Sequence, residues 1–100
     1  MGHDDSWSQC RRAARLYMAR RKQKDLSPQK QREVEAVTRA LIWIREQRGE
    51  RVQRFIILYH INQSHNLQGA ADAVGYSKSR CKDFNREFIY EIARELGYIK

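Results

Sequence analysis

The chain has 100 residues, 41% of them hydrophobic, with one proline, five glycines and a formal net charge of +8. That composition excludes a disordered tail and fits a single small domain with a modest core. It also excludes a membrane span, which needs roughly 18 apolar residues in a row. The longest apolar run, Phe55 to Tyr59, is far shorter and lies between Arg54 and His60.

Fourteen of the twenty basic residues are Arg. The planar guanidinium fork donates two parallel hydrogen bonds and so suits phosphates and base edges. A surplus of this size points to a polyanionic partner, most commonly nucleic acid, although a solubility surplus would have the same composition. Two cysteines, Cys10 and Cys81, make no disulfide framework. The N-terminus lacks the basic start and apolar stretch of a signal peptide, so the expected location is a reducing cytoplasm.

The pattern predicts an all-α domain of about four helical stretches, with an Arg-rich N-terminal helix over 1–27 and a helical domain over 28–100. The first stretch runs from about Trp7 to Lys24, capped by Asp5 or Ser6. Trp7, Cys10, Ala14 and Tyr17 form a narrow apolar seam at three- and four-residue steps. Arg11, Arg12, Arg15, Arg20, Arg21, Lys22 and Lys24 surround it. The first six of these are candidates for a DNA-backbone or partner surface.

Ser27-Pro28 predicts a helix start, a capping hydroxyl followed by a residue whose missing N–H is harmless at the first helical position. Val34, Val37, Leu41 and Ile44 mark one face, ending at Gly49 in a left-handed stop. From Glu50 to Ile61, Val52, Phe55, Ile56 and Tyr59 share a helical face. Phe55 to Tyr59 alone would also fit a buried strand, but no partner strand is in view. Asn62 to Asn66 reads as a polar loop.

The segment over about 67–96 has the spacing of a helix-turn-helix. Ala71 is the small residue at a close helix crossing, Gly75 sits in the turn where positive φ suits only glycine, and Ser77 caps the second helix. Ala70, Val74, Tyr76, Cys81 and Phe84 should face the core. Ser77, Lys78, Ser79, Lys82, Asp83 and Arg86 should face out.

Helix N-termini prefer acidic residues. Here the first turns carry Lys78, Arg80, Lys82 and Arg86, while Asp83, Glu87, Glu91 and Glu95 run toward the other end. That order disfavours an isolated helix and suits one whose N-terminal end meets phosphates or bases. The candidate DNA-binding residues are therefore Ser77, Lys78, Ser79, Arg80, Lys82 and Arg86, with double-stranded DNA as partner. The acidic stripe either offsets nearby cations, through Asp83–Arg86 and Glu91–Arg94 pairs, or docks a basic surface, that of the first helix or of another protein. Phe88, Ile89, Ile92 and Leu96 continue the apolar face, Gly97 ends the helix, and Tyr98 and Ile99 fold back onto the core.

From about Lys30 onward the chain resembles the ArpU/RinA family of phage late-gene transcription regulators. The matching text is Val34-Glu-Ala-Val37, Ala40-Leu41, Arg54-Phe-Ile-Ile-Leu-Tyr59, Ala70-Ala71, Val74-Gly-Tyr-Ser77 and Ile89-Tyr-Glu-Ile-Ala-Arg-Glu-Leu-Gly97. Members are similar to the promoter-reading region four of bacterial sigma factors. The resemblance implies a late-gene activator working with host RNA polymerase, with Lys78, Ser79, Lys82 and Arg86 facing DNA. The Arg-rich first helix departs from the family pattern.

The nearest rival is a phage small-terminase-like packaging protein, which would form a ring where a regulator would be a monomer or small oligomer. A helical ribonuclease using Arg54 and His60 is more distant, because Phe55 stands where a polar neighbour is usual. The reading is therefore not an enzyme, with no catalytic residue and no cofactor. Cys10, His60, His65 and Cys81 have zinc-capable chemistry but not zinc-knuckle spacing, and no metal is expected.

Overall fold

The computed structural model describes residues 2–99, with side chains from Ser6 onward. Helix α1 spans Gly2–Arg21, α2 Pro28–Arg48, α3 Glu50–Ile56, α4 Leu67–Val74 and α5 Lys78–Glu95. A single π-helical segment, Ile57–Ile61, extends α3. No strand occurs among the described residues, and no helix is long and apolar enough to cross a membrane. The all-helical expectation holds. Five α-helices fill the four expected stretches among the described residues, the last stretch being the two helices on either side of the expected turn at Gly75.

Helix α1 begins at Gly2, so Asp5 and Ser6 lie inside the helix rather than at the position before its first turn. Its C-terminal end tightens through Lys22 N–H to Ala19 O at 3.2 Å and Gln23 N–H to Arg20 O at 3.1 Å, stopping it short of Lys24. The seam is wider than expected. Cys10, Ala14 and Tyr17 are buried as anticipated, but so are Ala13 and Arg20.

At α2, Ser27 Oγ accepts from Lys30 N–H at 3.3 Å and Pro28 occupies the first turn. The buried face is Ala36, Val37, Ala40 and Ile44, with Val34 and Leu41 half-buried at its edge. Small alanines there let α1 approach closely. Tyr17 donates to Thr38 Oγ1 at 2.7 Å, and Thr38 in turn donates to Val34 O at 3.0 Å. Gly49 ends α2 with φ 94° and ψ 172°. This is a stop, but in an extended glycine-only region rather than the left-handed helical one, so the same residue both ends α2 and starts α3.

The stretch after Gly49 is helical, and the π segment resets its phase. Phe55 and Ile56 are buried, and the next buried pair is His60 and Ile61, five residues later. Asn62 N–H donates to Ile57 O at 2.7 Å, closing the wide turn. Tyr59, expected in the core, is half-buried and stacks on Phe55 with ring centroids 5.8 Å apart.

Helix α4 begins at Asn66, whose Oδ1 accepts from Gly69 N–H at 2.7 Å. It ends at Gly75, with φ 78° and ψ 25°. Tyr76 N–H reaches Ala71 O at 3.1 Å and Gly75 N–H reaches Asp72 O at 3.2 Å, a Schellman arrangement that satisfies the last carbonyls. Helix α5 closes with the same pair of bonds, Tyr98 N–H to Ala93 O and Gly97 N–H to Arg94 O. Tyr98 and Ile99 then pack on the core, and Tyr98 donates to Gln9 Oε1 at 2.8 Å, tying the C-terminus to α1.

One core runs through all five helices, with Phe55, Phe88, Ile44, Ile56, Ile89 and Ile92 fully enclosed. Each such side chain contributes roughly 1.5–3 kcal/mol on burial. Helix α5 is central to it, packing against α1, α2, α3 and α4.

Candidate nucleic-acid interface

Ser77 Oγ accepts from Arg80 N–H at 3.2 Å, which starts α5 and fixes the direction of its first turn. The inward residues Ala70, Val74, Cys81 and Phe84 are buried. Tyr76 is half-buried, with its ring edge-on to Phe84 at 5.2 Å. Ser77, Lys78, Ser79, Arg80, Lys82, Asp83 and Arg86 are all exposed. Ser79, Lys82 and Arg86 follow one another at three- and four-residue steps on the face away from Phe84 and Phe88. Arg80 stands apart from them, its guanidinium 5.1 Å over the Phe84 ring.

The turn is held by a residue not singled out from the sequence. Arg51, on α3, donates through Nε to Val74 O at 2.9 Å and through Nη2 to Gly75 O at 3.3 Å. The same guanidinium lies 4.3 Å over the Tyr76 ring. It occupies the C-terminal end of α4, where a cation is favoured.

Ion pairing separates the cations into two sets. Arg48 grips Glu87 with both nitrogens at 2.9 and 2.7 Å, Arg94 holds Glu91 at 3.0 and 3.2 Å, and Arg39 lies 3.5 Å from Glu95. The acidic stripe of α5 therefore faces mainly α2, not the first helix. The expected Asp83–Arg86 pair does not form. Among the described residues, Lys78, Lys82, Arg86, Arg11, Arg12 and Arg15 have no carboxylate within ion-pair distance.

The basic residues of α1 divide as well. Arg20 is not available to a partner, because it is buried and paired with Glu33. Its position one turn after the seam residue Tyr17 turns it toward α2. Arg12 is exposed beside the start of α2, in a shallow cleft it shares with Gln9, Ser27 and Lys30. Arg21, at the helix end, lies 5.5 Å over the Tyr17 ring, and Lys22 is exposed in the turn that follows.

Arg11 and Arg15 line a different cavity of about 300 Å³ with Tyr59, His60, Gln63, His65 and Asn85. His60 is buried, and its Nε2–H donates to Asn85 Oδ1. Burial pushes the His60 imidazole below its ordinary pKa, and Arg11 and Arg15 push the same way against the hydrogen bond to Asn85. Arg54 is exposed on α3 and is not among the residues lining the cavity at which His60 sits.

Among the described residues, no group of three or more His, Cys, Asp or Glu side chains comes together. Cys10 and Cys81 are buried free thiols, and burial, aided by Glu33, pushes Cys10 up to about 11. No protein-family model, characterised protein or solved structure matches the chain.

Proposed function

We propose that this chain is a sequence-specific DNA-binding protein that lays the N-terminal half of α5, Lys78 to Arg86, in the major groove. One observation carries the reading. Lys78, Lys82 and Arg86 on the exposed start of α5 have no carboxylate partner among the described residues, whereas Glu95, Glu87 and Glu91 farther along the same helix are held by Arg39, Arg48 and Arg94. The result is a basic face, interrupted by the exposed Asp83, beginning at a helix N-terminus, where phosphates also meet free N–H groups. Ser79, Lys82 and Arg86 are spaced to meet base edges, and an Arg fork there pairs with guanine.

The finer reading rests on the resemblance to ArpU/RinA regulators: a phage or prophage late-gene activator acting with host RNA polymerase. Titration of a labelled duplex at several salt concentrations tests the DNA reading. Affinity should fall linearly on a log–log plot, with about 0.9 units of slope for each phosphate neutralised. Absence of duplex binding at about 10 µM protein in low salt would reject it. For the finer reading, run-off transcription from a template bearing a selected site should rise with added protein.

A further inference from the structure

We propose that the cavity between α1, the π segment and α5 is a phosphate site that receives one backbone phosphodiester of the bound DNA. Four separate parts of the chain build it: Arg11 and Arg15 from α1, His60 from the π segment, Gln63 and His65 from the loop, and Asn85 from α5. Among the described residues, no acidic side chain lines it. Arg11 and Arg15 stand one turn apart on α1, and both line the same cavity. Neither has a carboxylate partner among the described residues. Two Arg side chains lining one cavity with no counter-ion among the described residues repel each other, and a phosphate or phosphodiester relieves that repulsion.

The remaining lining supplies hydrogen-bond donors. His60 engages Asn85 Oδ1, which leaves the Asn85 amide nitrogen as its donor to a ligand. His65 Nδ1 is engaged by Ser64 Oγ at 2.8 Å, leaving Nε2 toward the cavity or solvent. The loop is anchored rather than loose. Gln63 adopts a left-handed φ of 54°, and its side-chain amide donates to Arg15 O at 3.1 Å, so this wall stands against α1 before any ligand arrives. The volume lies at the lower end for small-molecule pockets and suits a phosphate with its waters.

Position gives the source of the phosphate. Asn85 follows Lys82 by three residues and Lys78 by seven, so the cavity adjoins the exposed start of α5 on its α1 side. A strand whose bases meet Ser79, Lys82 and Arg86 would pass its backbone over Arg11 and Arg15. The source assignment rests on the DNA-binding reading, but the site itself does not.

The test compares wild type, the pair Arg11→Gln with Arg15→Gln, and the pair Lys82→Ala with Arg86→Ala, each checked for an unchanged thermal transition. Duplex affinity and His65 side-chain resonances are followed, with inorganic phosphate as a second ligand. The Arg11/Arg15 pair should lose roughly tenfold in affinity on every duplex alike, and its salt slope should fall by about one unit, as for one phosphate rather than two. If that variant binds duplex normally while the Lys82/Arg86 variant does not, the phosphate site is overturned and the DNA reading stands. If wild type ignores duplex but inorganic phosphate shifts His65 in an Arg11- and Arg15-dependent way, the site stands and its DNA source is overturned. Response to neither ligand overturns both.

Discussion

The guanidinium of Arg51 lies 4.3 Å over the ring of Tyr76 while donating to the carbonyls that end α4. One side chain from α3 thereby fixes the turn that aims α5. An exposed cation–π contact is worth about 0.5–1 kcal/mol, and hydrogen bonds from a charged donor add to it. Arg51→Ala should therefore lower stability by about 1–2 kcal/mol in urea denaturation. A double-mutant cycle with Tyr76→Leu should show coupling of about 0.5–1 kcal/mol. An uncoupled pair would mean that Arg51 acts through the carbonyls alone.

Gly75 stands next to this clamp with φ 78°, and a Cβ there would come within 3.3 Å of Arg51 Nη2. Gly75→Val combines a backbone strained for a β-branched residue with displacement of the guanidinium. The expected loss is about 1–3 kcal/mol, read from the denaturation midpoint. A neutral substitution would contradict the left-handed turn.

The parts of the fold legible from the sequence are those set by local chemistry. Ser27-Pro28, Gly75 and Ser77 carry their own geometry, and α5 shows its buried face in the period of its apolar residues. Three features depended on distant partners and were not legible. Arg51 acts on residues 23 and 24 positions away, and nothing local distinguishes it from Arg54. Arg20 continues a basic run, so only its pairing with Glu33 removes it from the surface. The π segment shifts burial from Tyr59 to His60, which an α-helical period cannot express. The cavity at Arg11 and Arg15 was not legible either, since α1, the π segment and α5 meet only in the folded chain.

His60 gives a pH signature. Burial holds its folded-state pKa below the ordinary 6.5. The unfolded imidazole gains a proton near 6.5, whereas the folded one gains it only at lower pH. Its contribution to stability is therefore complete above 6.5 and is lost as pH falls from 6.5 through the folded value. Arg11 and Arg15 act in the same direction, and the Asn85 hydrogen bond opposes them. Denaturation midpoints at pH 7.5 and pH 5.5 should differ less in His60→Gln than in wild type. Equal pH sensitivity in the two proteins would place the titrating group elsewhere.

Cys10 lies wholly within the α1 seam, its thiol pushed up to about 11. Thiolate is the reactive form. At pH 8, iodoacetamide should leave native Cys10 unmodified over hours and alkylate it within minutes in denaturing urea. Rapid labelling of the native protein would contradict the packing of α1 against α2 and α5.

The most direct measurement of the central claim is the ratio of affinities for a selected duplex and a random one, at a single salt concentration. Arg86 is exposed on the outer face of α5 with no carboxylate partner among the described residues, whereas Arg15 lines the cavity proposed to take a phosphate. A base contact from Arg86 contributes about 1–3 kcal/mol to the preferred site alone, and a phosphate contact contributes to both duplexes. Arg86→Ala should therefore narrow the ratio by roughly tenfold or more, while Arg15→Ala lowers both affinities and leaves the ratio unchanged. Equal losses on both duplexes for Arg86→Ala would mean that α5 only holds the backbone, and the assignment of sequence reading to that helix face would be contradicted.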